Sequence, residues 1–118
     1  MKRGHRSLRA WQEAIKLVEQ VYAATHTFPK DELFGLTAQM RRSAVSVPAN
    51  IAEGAARAGT KELLRYLSIA SASLSELDTH VEIARRLGYL KNEQLDEQIG
   101  GVAGLLMGLE ASLKKRLA

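Results

Sequence analysis

Cysteine is absent from all 118 residues. That excludes a disulfide framework and all thiolate chemistry, and it fits a reducing compartment. Long apolar runs are absent too: no stretch approaches about 18 uninterrupted apolar residues, the length that crosses a bilayer. The opening MKRGHRSLRAW is basic, but no apolar run follows it. No signal peptide is therefore expected, and the cytoplasm is the expected location. Neither G-x-x-x-x-G-K-[ST] nor a strand-borne G-x-G-x-x-G occurs, and no serine sits in a nucleophile elbow. His5, His26 and His80 are scattered. The single Glu76–His80 pair lacks the second pair that a di-iron bundle requires. No metal, no cofactor and no catalytic residue is expected, and the chain is not expected to be an enzyme.

What is present is ordinary for a globular chain: 46% hydrophobic and 25% charged residues. The length suits one domain with a real core, and not two. We expect a single domain over residues 1–118, with residues 1–6 as a flexible basic arm. A net charge of +4 and an isoelectric point near 9.6 are compatible with a polyanionic partner without requiring one.

Apolar residues recur at three- and four-residue steps, the period of amphipathic helices. Leu8, Trp11, Ile15, Val18, Tyr22 and Thr25 form such a seam in a first helix near residues 7–27, with Ser7 as its cap. Trp11, the only tryptophan, reads as core with its indole N–H near a partner. Phe28-Pro29-Lys30-Asp31 turns the chain, and Asp31 can cap a second helix near residues 32–57. Gly59 suits a helix-terminating position and Thr60 can cap a third helix near residues 60–88. Its stripe runs Leu63, Leu67, Ala70, Leu74, Leu77, Val81, Ala84 until Gly88 stops it. Asn92 can cap a fourth helix near residues 92–116, with the stripe Leu95, Ile99, Val102, Leu106, Leu109, Leu113. Acids begin that helix and Lys114, Lys115 and Arg116 end it, as the helix dipole favours. The expected fold is all-α, an antiparallel up-down four-helix bundle.

The second helix carries more than a simple helix needs. Leu33, Leu36, Met40, Ala44, Val47 and Ile51 make its apolar stripe. Arg42, Ser46, Asn50, Glu53 and Arg57 form a polar stripe roughly 120° away. That stripe is either a solvated face or, more sharply, a hydrogen-bonded network of Arg42, Ser46, Asn50 and Glu53 at a seam. Pro48 removes one backbone hydrogen bond. It is expected to kink the helix near Ala44 to Val47, the alternative being a break between two shorter helices, and Ser46, Asn50 or water could serve the freed Ala44 carbonyl. Arg41 and Arg42 point about 100° apart, so Arg42 is assigned to the network and Arg41 outward.

Gly100, Gly104 and Gly108 are four apart and Ala111 continues the line, with Met107 beside it. Each interior glycine costs a helix roughly 1 kcal/mol relative to alanine. A face of that kind permits close backbone approach, so it is expected to pack on another protomer. Lys2, Arg3, Arg6, Arg41, Arg57, Arg65, Arg85 and Arg86 are the candidate nucleic-acid contacts. The rival expectation is a protein–protein scaffold or adaptor whose basic surplus only solubilises it.

Trp11-Gln12, Phe28-Pro29, Phe34-Gly35-Leu36, Gln39-Met40-Arg41-Arg42, Val47-Pro48-Ala49-Asn50-Ile51-Ala52-Glu53-Gly54 and Leu74-x-Glu76-Leu77 together carry a resemblance. The chain resembles the bacterial four-helix-bundle proteins encoded in intervening sequences of 23S rRNA genes. It is similar, more distantly, to the accessory variability determinant of diversity-generating retroelements. The likeness spans about Leu8 to Leu90, and the fourth helix matches mainly in kind. It implies an up-down four-helix protomer and a ring-like homopentamer. In the retroelement branch it implies a positive surface that binds nucleic acid and a reverse transcriptase. The expected partners are thus a second copy of the chain, RNA or DNA, and another protein such as a reverse transcriptase, with no membrane.

Overall fold

A computed structural model describes residues 4–117, so Lys2 and Arg3 lie outside the described residues. Four helices carry the fold: α1 (Arg9–Thr25), α2 (Leu36–Ala56), α3 (Thr60–Arg86) and α4 (Gln94–Leu117). Short 3-10 turns at Gly4–Ser7 and Lys30–Glu32 precede α1 and α2. Among the described residues there is no strand, and no helix is long and apolar enough to cross a membrane. α2 packs on α1 and α3, and α4 packs on α3 and α1, in a body of 47 × 26 × 19 Å. Contacts pair rising numbers on one helix with falling numbers on the next: Ser43 with His80 and Ser46 with Ser73, then Arg85 with Asp96 and Ser71 with Glu110.

The interior follows the expected stripes of α3 and α4. Leu67, Ala70, Leu74, Leu77, Val81 and Ala84 are buried, as are Leu95, Ile99, Val102, Leu106 and Leu113. α1 departs from expectation. Its buried line is Ala10, Ala14, Leu17, Val21 and Thr25, and Leu8, Trp11 and Val18 only pack against its edge. Two alanines on the inner face let α1 lie close, so the larger side chains are displaced to the flanks. Trp11 is half-buried, edge-on to the His5 ring at 5.1 Å and beneath the Arg6 guanidinium at 5.4 Å. The expected core residue Leu33 is 49% exposed.

Helix ends also differ from the expected caps. Ser7 does not cap α1; its hydroxyl donates to the Gly4 carbonyl within the first 3-10 turn. This turn takes up residues assigned to the arm. Asp31 lies in the second 3-10 turn, and Glu32 serves α2 instead, its Oε1 accepting the Leu36 N–H at 3.2 Å. Its Oε2 accepts the Tyr89 hydroxyl at 3.1 Å, tying the α3–α4 loop to the start of α2. Thr60 is the first residue of α3 rather than its cap, and the cap position is Gly59 at φ 101°. α3 stops where expected. The Tyr89 N–H reaches the Ala84 carbonyl and the Gly88 N–H the Arg85 carbonyl, around Gly88 at φ 83°. Asn92 Oδ1 accepts the Gln94 N–H at 3.1 Å at the head of α4.

Candidate nucleic-acid and self-association surfaces

α2 is one continuous helix through Pro48, which is itself buried. The alternative of two shorter helices is therefore excluded, and the single helix expected here is the one found. Asn50 Nδ2 donates to the Ser46 carbonyl at 2.8 Å and to Ser46 Oγ at 2.9 Å, rather than to the Ala44 carbonyl. Ser46 Oγ lies 2.8 Å from Ser73 Oγ, which carries the contact across to α3. The polar network is therefore Asn50–Ser46–Ser73. Arg42 hydrogen bonds to none of the described residues and is exposed, and Glu53 pairs with Arg57 on the surface. The two arginines exchange their expected parts. Arg41 is anchored, its Nε donating to Thr25 Oγ1 at 3.0 Å and its guanidinium lying over the Tyr22 ring at 4.5 Å. Arg42 points outward. One contact between α2 and α3 has no counterpart in the sequence pattern: buried Ser43 lies 3.4 Å from Nδ1 of buried His80. Nothing but the i, i+3 spacing of Ser43 from Met40 marks that serine as interior.

The candidate arginines do not form one patch. Arg57 and Arg65 flank Tyr66, 5.3 and 4.9 Å from its ring centre, and both donate to its hydroxyl. Each also has a carboxylate beside it: Glu53 at 3.1 Å from Arg57 and Glu62 at 3.6 Å from Arg65. The Glu53 hydrogen bond, with the charge interaction of the Tyr66 phenol second, holds the Arg57 guanidinium more firmly protonated than usual. Arg85 is bound to both carboxylate oxygens of Asp96 and to the Asn92 carbonyl, and Arg86 to Glu82 at 2.8 Å. Asp96 likewise raises the Arg85 pKa. Arg65 and Arg85 stand twenty residues apart on α3, about 30 Å at 1.5 Å per residue. Arg6 is on the Trp11 ring at the start of α1.

The register of α3 against α4 directs further basic residues, not among the expected contacts, to the Arg65 end. The Ser71–Glu110 contact sets α3 against α4. Continuing α4 toward its C-terminus and α3 toward its N-terminus brings Lys114, Lys115 and Arg116 toward Lys61 and Arg65. The helix dipole favours these three residues at the end of α4, and the register gives them a second setting beside α3.

The small face of α4 is open. A Cβ on Gly100, Gly104 or Gly108 would meet nothing within 4 Å, Ala111 is exposed, and Met107 is 69% exposed. Beside it, between α3 and α4, runs a groove of about 390 Å³ over Leu74 and Ile99, walled by Ala103 and Met107. On the opposite side, where α1 meets α2, Phe34 is 92% exposed. It borders a depression of about 490 Å³ shared with Tyr22, Leu33, Val45, Arg41 and Arg42. Phe34 lies outside every helical stripe, and its sequence signal is the Phe34-Gly35-Leu36 run that also carries the resemblance.

No curated protein matches the chain. The family described as 23S rRNA-intervening sequence protein matches residues 6–107. That stretch takes in α1, α2, α3 and more than half of α4, including the Asn50–Ser46 network and the Phe34-Gly35-Leu36 corner, and the chain belongs to the 23S rRNA-intervening sequence protein family.

Proposed function

We propose that this chain is a non-enzymatic, self-associating helical-bundle protein that binds nucleic acid, RNA or DNA, through the basic end of its bundle. The observation that carries the reading is the Arg57–Tyr66–Arg65 cluster, with Lys114–Arg116 directed to the same end. Tyr66 and the adjacent carboxylates take up Nη2 of Arg57 and Nη2 and Nε of Arg65, which leaves the Nη1 group of each guanidinium for phosphate oxygens. Assembly multiplies the effect: five protomers at +4, the ring that the family resemblance implies, would carry roughly +20. A labelled rRNA hairpin titrated at several salt concentrations tests it by fluorescence anisotropy. A slope of log affinity against log salt beyond about −5 is expected, more phosphates than one small protomer reaches easily. An absence of binding near physiological salt would sink the nucleic-acid reading.

The second reading is a protein–protein scaffold or adaptor. It is favoured by the carboxylates that already pair with Arg57, Arg65, Arg85 and Arg86. Self-association belongs to both readings. Gly104→Leu places a large side chain on an open face, where its Cβ meets nothing within 4 Å, and is expected to reduce the assembled mass in light scattering. An unchanged mass would remove that face as an interface.

A further inference from the structure

Two apolar surfaces of the protomer are unpartnered, and they differ in shape and charge. The first is a ridge on the α1–α2 side. Phe34 is 92% exposed, with Leu33 at 49% and Tyr22 and Val45 close to it in exposure. Its charged neighbours are Arg41 and Arg42, and no acid lines the depression beside it. The second is the groove on the α3–α4 side. Leu74 and Ile99 floor it, and Gly100 leaves it open at one wall. Its charged lining residues are Asp78 and Asp96, with no cation among them. Asp96 is held by Arg85, whereas Asp78 is exposed and forms no ion pair with a described residue.

We propose that the Phe34 ridge of one copy docks in the α3–α4 groove of a second copy, with Arg42 facing Asp78. The inference rests on the self-association reading and specifies its geometry. Charge complementarity selects the occupant. A ridge meeting a ridge would set Arg41 and Arg42 against their own counterparts, and a groove meeting a groove would oppose Asp78 to itself, and like charges held together cost affinity. Ridge to groove pairs opposite signs and fills a concave apolar site with an aromatic anchor, as interface hot spots do. The two surfaces lie on opposite sides of the bundle, so one protomer cannot satisfy its own groove. Two docked copies leave one ridge and one groove free. The contact is therefore head-to-tail, the kind that closes into a ring when the rotation allows.

The test uses light scattering on the full chain, its Phe34→Asp variant and its Gly100→Trp variant. Phe34 is too exposed to support the fold, and at Gly100 a Cβ meets nothing within 4 Å, so the indole can be placed in the groove without displacing the helix. Each variant alone is expected to be monomeric. An equimolar mixture is expected to form a heterodimer and nothing larger, because one variant keeps its groove and the other its ridge. That rescue also shows both variants to be folded. Variants that keep the parent's mass would overturn the proposal, and so would a mixture without dimers. If Gly104→Leu reduces the mass while these two do not, self-association stands and the ridge-in-groove contact falls. A monomeric parent overturns both. If Phe34→Asp keeps the parent's mass but loses hairpin affinity, the ridge is a base-stacking platform and not a self-docking site.

Discussion

At Gly54 the backbones of α2 and α3 meet with no room for a side chain. A Cβ there would stand 2.7 Å from Tyr66 Cβ, 3.1 Å from Leu63 Cδ1 and 3.3 Å from the Leu63 carbonyl oxygen. Two of those three atoms are backbone or next to it and cannot swing aside. Gly54→Ala should therefore push the helices apart and destabilise the fold by about 1–3 kcal/mol, although alanine is the better helix former by about 1 kcal/mol. Urea denaturation with an unchanged m value would measure it; a midpoint that rises would show that the helices accommodate the methyl. Gly54 also explains part of the Asn50-Ile51-Ala52-Glu53-Gly54 run, since the close approach lets Tyr66 sit between Arg57 and Arg65. The sequence displays the glycine but not its neighbour. Tyr66 lies in α3, and only the α2–α3 register pairs the two. Arg41 and Arg42 illustrate the same limit. Their angular separation was legible, but which one would find Thr25 and Tyr22 on α1 depended on how α1 is turned.

Among the elements, α3 and α4 were legible because large apolar residues repeat along them at strict three- and four-residue steps. α1 was not, for a physical reason. Ala10 and Ala14 bury little area, so a pattern weighted by bulk selects Trp11, Ile15 and Val18, while close packing selects the alanines. The cap residues failed in a related way. Ser7, Asp31 and Thr60 are good caps in isolation, but Glu32 reaches the head of α2 from within a 3-10 turn that no helical periodicity announces. The glycines of α4 give a prediction at this scale. With open space at each Cβ, replacing Gly100, Gly104 and Gly108 by alanine should strengthen the helix by up to about 1 kcal/mol per site. If the face meets another copy, the same variant should lose assembled mass. A urea midpoint that rises while light scattering reports a smaller particle would separate the two effects. A rise without loss of mass would leave the glycines without an interface role.

Across the whole molecule the decisive feature is where charge is left uncommitted. The net charge of +4 says nothing of distribution, and the arginines of α3 divide between two ends of a body 47 Å long. At the end formed by the α3–α4 loop, Arg85 is committed to Asp96 and the Asn92 carbonyl, so it holds the loop and offers little to a phosphate. At the other end, Lys114, Lys115 and Arg116 form no ion pair with a described residue and are exposed. The two ends should therefore behave differently under substitution. Replacing Lys114, Lys115 and Arg116 together by alanine should weaken hairpin binding and reduce the salt slope by up to about three, close to one for each phosphate no longer neutralised. Arg85→Ala should lower the melting temperature and leave the slope where it was, because the side chain it removes was occupied within the fold. The reverse pattern, a slope that responds to Arg85 and ignores the α4 terminus, would move the nucleic-acid surface to the opposite end of the bundle. Because the two ends lie about 30 Å apart along α3, the two outcomes would be read as separate effects rather than as one shared field.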